Sequence, residues 1–216
     1  EKRYTLSILN KMRLKDFHGA DEVYKELQTG RKFYGHDDKQ ILDFVNELIG
    51  NLAEVAEKYK NQYGGTVKFG LSSPGYNILC KNTNADISGR KYGMPYNTHI
   101  SCLDASYTEL VNFASRLNYG GQCFNGNVID YFVNPDFLKN NIDKFLVFMK
   151  NAVNVGFFQM QMNVMDSKTL MDAKLHPENY KGLIVRVWGF SAYFNELPES
   201  YKDLLIDRAI AAEKVA

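Results

Sequence analysis

The order of helical and extended patterns along the 216 residues predicts an α/β fold. Apolar residues recur at spacings of three and four over residues 41–59, which is typical of one face of a long helix. Residues 158–164 alternate strictly between apolar and polar, as a strand with two unlike faces does. Helical and extended segments then continue to alternate as far as a last helix that Pro198 opens.

The N-terminal part is predicted to be mainly helical. Residues 4–27 have helical spacing that is interrupted near Gly19, which indicates two short helices. Asp37 or Asp38 is expected to cap the long helix, which ends near Asn61. The apolar face of that helix is predicted to consist of Ile41, Val45, Leu48, Leu52, Val55 and Tyr59.

Periodicity fades over residues 66–97, where Gly, Ser, Asn and Pro dominate. A strand is expected at residues 66–71 and a structured loop at residues 86–91. A connection this long inside a compact domain is usually functional or docked on another surface.

The C-terminal part is predicted to alternate between helices and strands. Helices are expected at residues 106–117, from Asn134-Pro135 onwards, and from Asp166 or Ser167 to Lys174, and strands at residues 122–132 and 183–187. The helix from Pro135 is predicted to bury Phe137, Leu138, Ile142, Phe145, Leu146 and Met149. The polar face of the strand at residues 158–164 carries Gln159, Gln161 and Asn163, and it either meets water or lines a polar cavity.

The composition argues against several functional classes. The 26 Lys and Arg balance 25 Asp and Glu, so a net charge of +1 gives no electrostatic reason to expect nucleic acid or a membrane surface as partner. No apolar run approaches the roughly 20 residues that span a bilayer, and no secretory leader is visible. Three cysteines without a CxxC pair and four scattered histidines favour neither disulfides nor a structural metal site. No bound metal and a cytoplasmic location are therefore expected.

Residues 183–194 are predicted to end an extended run in a sharp loop, which leads to the last helix. The residues at the loop are Arg186, Val187, Trp188, Gly189, Phe190, Ser191 and Ala192. They resemble the signature of glycyl radical enzymes, in which an Arg-Val-x-Gly-Tyr/Phe core holds the radical glycine. Gly189 matches that glycine, and Trp188 is a departure because relatives usually carry a small residue there.

The resemblance extends beyond the signature. Residues 159–180 are similar to the family's penultimate strand and helix, residues 86–95 to its Asp-Gly-Arg-x-x-Gly-x-Pro loop, and residues 33–38 to its Gly-Asn-Asp-Asp helix start. These matches occur in the family's order and cover nearly the whole chain. Taken alone, Gly189 is better explained as a tight turn after a strand, but four collinear matches favour the radical interpretation.

The chemistry of a backbone radical explains the residue type. The radical is stabilised when the α-carbon becomes planar between an electron-donating amide nitrogen and a withdrawing carbonyl. Glycine can flatten without a side-chain clash and tolerates unusual dihedral angles. The apolar flank is expected to bury the radical away from dioxygen, and its members are Val187, Trp188, Phe190, Tyr193 and Phe194.

The resemblance implies an architecture and a reaction. Residues 1–155 would complete an α/β barrel of the glycyl radical enzyme type, and residues 156–216 would form its glycyl radical domain. A radical S-adenosylmethionine iron–sulfur activase would install the radical under anaerobic conditions. The glycine would pass it to a cysteine, whose thiyl radical takes hydrogen from a small-molecule substrate. The residues after Gly189 resemble the dehydratase, lyase and decarboxylase branch rather than pyruvate formate-lyase proper.

The catalytic cysteine is expected to come from another chain. Cys80, Cys102 and Cys123 match no cysteine-loop motif of the family and are interpreted as small buried residues, with Cys102 the least safe to dismiss. The chain is therefore expected to be the small subunit of a split hetero-oligomer, or a fragment, with a larger catalytic chain as partner.

Three residues follow the loop at residues 86–95, where relatives approach the substrate. Asn97, Thr98 and His99 are therefore candidates near the substrate, although His99 is equally consistent with a hydrogen-bonded loop histidine.

Two alternatives stay open. A repair module would replace the oxygen-damaged C-terminus of a larger enzyme, and a non-catalytic α/β binding protein would have kept only the fold.

Overall fold

The computed structural model describes residues 4–29, 32–71, 79–94, 96, 99–100, 105–120, 128–157, 159–187 and 189–215. The described residues form eight α-helices and four β-strands. The helices are α1 (Leu6–Arg13), α2 (Asp21–Gln28), α3 (Lys39–Glu57), α4 (Tyr107–Ser115), α5 (Pro135–Asn140), α6 (Ile142–Val155), α7 (Ser167–Leu175) and α8 (Glu199–Val215). The strands are β1 (Val128–Val133), β2 (Gln159–Val164), β3 (Ile184–Val187) and β4 (Phe190–Tyr193).

The chain divides into two compact units, Glu1–Lys32 with Pro74–Thr98 and Phe33–Ser73 with His99–Ala216. The division that the family resemblance implies, between residues 1–155 and 156–216, rests on its motifs and stays a prediction.

The first unit contains α1, α2 and the loop around Arg90. The predicted interruption near Gly19 is confirmed, because Asp16 and Phe17 adopt positive φ angles of 52° and 60° between the two helices. A small core of Phe17, Val23, Leu27 and Ala85 holds the unit together.

The structured loop predicted at residues 86–91 is also confirmed. Arg90 Nε donates to Asp86 Oδ2 at 3.0 Å, and Arg90 Nη1 donates to the Met94 carbonyl oxygen at 2.9 Å. The guanidinium also lies 4.4 Å from the ring centroid of Tyr96. A single cation therefore organises the loop from several sides.

The second unit is built around a parallel strand pair. β1 and β2 pair in register from Val128 opposite Gln159 to Val133 opposite Val164, and α5 and α6 connect them. Ile100 adds a parallel bridge to Ile129, on the other edge of β1. Parallel pairing through a helical crossover fits the predicted α/β class, whereas the assignment to a barrel stays a prediction.

Several predicted helix starts are confirmed by side-chain caps. Asp38 caps α3, Asn134 caps α5 and Asp166 caps α7, and each accepts a hydrogen bond from a backbone N–H of the first turn. Ser106 and Glu109 form a capping box at the start of α4.

The predicted apolar face of α3 packs on the core only at its start, through Ile41 and Val45. The buried residues are Leu42, Ile49 and Ala53, whereas the predicted face is exposed from Leu48 to Tyr59, by 42 to 64%. The helix carries apolar residues on two faces, so spacing alone did not identify the one that packs on the core of this chain. Phe44, on α3, is exposed as well. We use the name α3 stripe for the five exposed apolar residues on α3 and just after its end, which are Phe44, Leu48, Leu52, Val55 and Tyr59.

Two further expectations differ from the structure. The helix from Pro135 is broken at Asn141 into α5 and α6, which leaves Ile142 and Leu146 about half exposed rather than inward. No strand forms at residues 66–71, where Thr66 makes only an isolated bridge to Lys60.

The C-terminal part packs a hairpin against two helices. β3 and β4 pair antiparallel, with Val187 opposite Phe190. Their buried residues share a core with α7 and α8, which includes Leu170, Ala173, Val185, Val187, Phe194, Leu205 and Ala209. Within the described parts, no helix is long and apolar enough to cross a membrane.

A buried ion pair joins α8 to β1. Arg208 Nη1 donates to Asp130 Oδ2, and Arg208 Nη2 lies 3.4 Å from the Asp130 carbonyl oxygen. Both side chains are at most 5% exposed. The pair therefore fixes the last helix to the central strand pair from inside the core.

Replacing Arg208 by Met is expected to lower the free energy of unfolding by about 3–5 kcal/mol, because it leaves the Asp130 carboxylate buried without its partner. Urea unfolding followed by circular dichroism measures the change. Lys58→Met is the matched control, since Lys58 forms an exposed pair with Glu54 at 3.1 Å, and it should cost less than about 1 kcal/mol. Equal losses in the two variants would contradict the prediction.

Candidate functional site

Gly189 lies at the tip of the hairpin. β3 ends at Val187 and β4 begins at Phe190, so two residues connect them. Gly189 has a φ of +105°, and a Cβ built on it would meet no heavy atom within 4 Å. The backbone conformation, and not lack of space, therefore favours glycine here. Trp188, the other connecting residue, lies outside the described residues.

The polar face of β2 holds this hairpin. Gln161 Oε1 accepts a hydrogen bond from the Gly189 N–H, with 3.2 Å between the atoms. Asn163 Oδ1 accepts from the Arg186 N–H at 2.8 Å, and Asn163 Nδ2 donates to the Arg186 carbonyl oxygen at 3.0 Å. Gln161 and Asn163 are only 5% and 3% exposed. At these two residues the face binds the backbone of the hairpin and does not meet water.

Asn163 extends the sheet through its side chain. Its amide offers one acceptor and one donor, as a peptide group does, and pairs both with the Arg186 backbone. β3 therefore lies beside β2 without a regular ladder between them. The sequence signal for this contact was the alternation of β2, whose polar residues had no assigned role.

The predicted residues around Gly189 lie in different surroundings. Arg186 Nη1 donates to Ser191 Oγ at 3.1 Å across the hairpin. Val187 is fully buried in the C-terminal core, Ala192 packs at its edge, and Phe190 is 47% exposed. The hairpin therefore has an apolar side that faces the core and a side with the Arg186–Ser191 pair.

Among the described residues, only part of the expected apolar shield is buried. Val187 and Phe194 are buried, but Gly189, Phe190 and Tyr193 are exposed. Side chains of a strand alternate between two faces, and the tip extends beyond the core that covers one of them. The described residues therefore do not shield the α-carbon of Gly189 from solvent.

His99 lies beside the central strands. It is 9% exposed, its φ is +55°, and it precedes Ile100, which bridges to β1. Burial lowers the pKa of His99 and Arg208 lowers it further, whereas Asp130 raises it. His99 is therefore held largely as a neutral imidazole. Asn97 and Thr98 lie outside the described residues, so the three substrate candidates stay a prediction.

Two residues of this region had no role in the sequence-based prediction. Asp130 on β1 is the register partner of Gln161 and carries the ion pair to Arg208. A charged residue within the apolar strand at residues 128–133 was the available signal.

The remaining cysteine and metal predictions concern other parts of the chain. Cys80 is 1% exposed and its Sγ lies 3.7 Å from the Gly93 carbonyl oxygen, in agreement with a small buried residue. Cys102 and Cys123 lie outside the described residues. Among the described residues, no group of three or more His, Cys, Asp or Glu side chains could hold a metal ion.

Comparison with known proteins places this hairpin in a family. A family model described as "Glycine radical" matches residues 97–195, which include Gly189. A glycyl radical enzyme from Archaeoglobus fulgidus superimposes with a TM-score of 0.81 at 27% identity, over 96% of this chain and 27% of that one. Residues 97–195 therefore match the glycyl radical domain, and the chain as a whole is similar to glycyl radical enzymes.

Curated relatives of the chain support the predicted branch. (2S)-3-sulfopropanediol dehydratase from Klebsiella oxytoca is 27% identical over 96% of this chain and 26% of its own length. Indoleacetate decarboxylase from Tractidigestivibacter scatoligenes is 47% identical over 64 residues, which are 30% of this chain and 7% of that protein. Relatives named dehydratase, decarboxylase or lyase confirm the branch outside pyruvate formate-lyase.

The chain spans about a quarter of the length of the curated relatives that it matches over most of its own length. The glycyl radical domain supports a protein-derived radical as the cofactor.

Replacing Asn163 by Leu should destabilise the hairpin, because the buried peptide groups of Arg186 lose both partners. The expected loss is about 2–4 kcal/mol in the free energy of unfolding, measured by urea titration. Asn154→Leu, at an exposed position of α6, should change it by less than about 0.5 kcal/mol. If only the apolar side held the hairpin, the two variants would have similar free energies of unfolding, and this result would contradict the prediction.

His99→Asn should flatten the dependence of stability on pH, and asparagine tolerates the positive φ. Because folding lowers the pKa of His99 from its ordinary value of 6.5, the unfolded chain takes up a proton first as the pH falls below that value. The wild type should therefore lose stability as the pH falls below about 6.5, and the variant should lose less. Thermal unfolding at several pH values tests this, and parallel curves would contradict it.

Proposed function

We propose that the chain is the radical-bearing part of a glycyl radical lyase, with Gly189 as the store of the radical. The observation that carries this proposal is a glycine at an exposed hairpin tip, where buried side chains bind the Gly189 N–H and the backbone of the preceding strand. A store of this kind must be rigid on its own chain and open towards the group that receives the radical.

The proposed chemistry begins with two hydrogen-atom transfers. The radical on the Gly189 α-carbon takes a hydrogen atom from a cysteine thiol, which restores the glycine and leaves a thiyl radical. The thiyl then takes a hydrogen atom from a carbon of a small organic substrate, which leaves a substrate radical and the thiol. The substrate radical undergoes cleavage of a C–X bond, as in dehydration, decarboxylation or related lyase reactions. The product radical then takes a hydrogen atom back from the thiol, which regenerates the thiyl radical.

The cysteine in this proposal belongs to a larger catalytic chain. The open side of Gly189 and the half-exposed Phe190 and Tyr193 need a cover that the described residues do not supply. The α3 stripe is a second apolar surface that needs a partner. The chain matches only about a quarter of the length of its relatives. A partner chain that corresponds to the rest would be long enough to cover both surfaces.

The remaining expectations from the sequence are part of the same proposal. A radical S-adenosylmethionine activase installs the radical anaerobically, and the hetero-oligomer works in the cytoplasm on a small molecule, with no nucleic acid or membrane as partner. Asn97, Thr98 and His99 are proposed to lie near the substrate. No bound metal takes part in the proposed reaction.

The repair module is a weaker candidate. Such a module would need only the hairpin, its connecting loop and α8. This chain also has a folded unit around Phe17 and Arg90 and the parallel pair of β1 and β2, which favours a split subunit or a fragment. A non-catalytic binding protein would keep its function in the variant Gly189→Ala.

The decisive experiment is anaerobic activation of the chain together with its partner, followed by electron paramagnetic resonance. The wild type should give a doublet that collapses when glycine is α-deuterated, and Gly189→Ala should give none. Gly156→Ala is the matched control, because Gly156 has a φ of +80° and equally open space at its Cβ position. It should bear a similar backbone strain and keep the doublet. A wild-type complex without a doublet would refute the proposal.

Admission of air to the activated protein should cleave the chain at Gly189. Denaturing electrophoresis and mass spectrometry should show a C-terminal piece that begins close to Phe190, in wild type and in Gly156→Ala but not in Gly189→Ala. Cleavage of Gly189→Ala at the same position would place the reactive residue elsewhere.

A further inference from the structure

The side chain of Gln161 makes one contact that the proposed radical chemistry has not used. Its Oε1 atom accepts a hydrogen bond from the N–H of Gly189 at 3.2 Å. This N–H is on the nitrogen that would donate electron density to the radical carbon. Gln161 is 5% exposed, so water competes little for the bond.

The orientation of the Gln161 amide follows from the same contact. A backbone N–H can only donate, so the oxygen and not the nitrogen of the side-chain amide must face Gly189. Gln161 Nε2 is buried and has no hydrogen-bond partner among the described residues. The backbone of Gln161 is fixed within β2, where it is paired in register with Asp130.

A hydrogen-bond acceptor at this nitrogen has an electronic effect. It draws the N–H proton away and leaves more electron density on the nitrogen, which strengthens donation into the half-filled orbital of the α-carbon. Spin then spreads from the carbon to the nitrogen. The bond also holds the plane of the peptide that precedes the α-carbon, and that plane must be aligned with the orbital for donation to occur.

We propose that Gln161 is a positioning residue for the radical of Gly189. The amide oxygen of Gln161 stabilises this radical through its hydrogen bond with the glycine N–H. This proposal rests on the proposed function of Gly189 and adds to it. Asn163 has a different task, because it binds the peptide groups on either side of the Arg186 α-carbon, three residues before Gly189.

The test compares wild type, Gln161→Leu and Gln159→Leu in the activated complex. Leucine has a similar size and no acceptor. Gln159 lies two residues earlier on the same polar face of β2, is half-buried, and is the matched control. The measured quantities are the α-proton splitting, the coupling to ¹⁵N in labelled glycine and the anaerobic lifetime of the radical.

Gln161→Leu should increase the α-proton splitting and decrease the ¹⁵N coupling, because spin returns to the carbon. The lifetime of the radical in Gln161→Leu should shorten roughly two- to tenfold, because the net free energy of one hydrogen bond corresponds to a factor of this size. Gln159→Leu should match the wild type in all three measurements. Amide hydrogen exchange at Gly189, measured without activation, should be faster only in Gln161→Leu.

The outcomes separate the two proposals. A wild-type doublet with unchanged couplings in Gln161→Leu would overturn the role of Gln161 and leave Gly189 as the radical store. A shorter lifetime with unchanged couplings would also overturn it, since a loosened hairpin explains that result without electronic stabilisation. No doublet in the wild-type complex would refute the proposed function and, with it, the role of Gln161.

Discussion

The hydrogen bonds from the polar face of β2 to the backbone of the hairpin are the contacts on which the site depends. A hairpin with strands of four residues is marginal by itself. Here the side chains of Asn163 and Gln161 replace the missing ladder between β2 and β3, while Val185 and Val187 pack into the core beneath. β2 therefore binds both neighbours: its backbone pairs with β1, and its side chains bind the hairpin. The register of β2 with β1 consequently determines where the hairpin lies along the strands.

This arrangement gives the tip an unusual combination of properties. The peptides before Gly189 are fixed by atoms that are almost fully buried, yet the residue itself is exposed. A loop held by surface contacts would be exposed but mobile, and a loop inside the core would be fixed but closed. The hairpin separates the two requirements, since the strands supply rigidity and the turn supplies access.

Local signals in the sequence were sufficient for much of the fold. Caps such as Asp38 and Asp166, the interruption near Gly19 and the alternation in β2 depend on neighbouring residues, and the structure confirms them. The family was recognised for the same reason, because its motifs are short and occur in order. The face of α3 was identified only at Ile41 and Val45, because the helix carries apolar residues on two sides.

The contacts that build the site join distant parts of the sequence. Asn163 and Arg186 are 23 residues apart, Gln161 and Gly189 are 28 apart, and Asp130 and Arg208 are 78 apart. No periodicity or spacing reveals which polar residue of a strand meets which backbone atom of a later hairpin. The partial exposure of the apolar flank was equally hidden, because it depends on how far the tip extends beyond the core.

The ion pair between Asp130 and Arg208 has a consequence for a chain that has been cut at its tip. The piece after Gly189 contains β4 and α8, and it is anchored by this pair and by Leu205, Ile206 and Ala209 in the core. Such a nicked protein would keep its size and its fold in native solution, with two polypeptides in place of one. After cleavage by oxygen, the C-terminal piece would therefore remain bound in the folded protein. It would prevent an undamaged copy of the same piece from binding at that site.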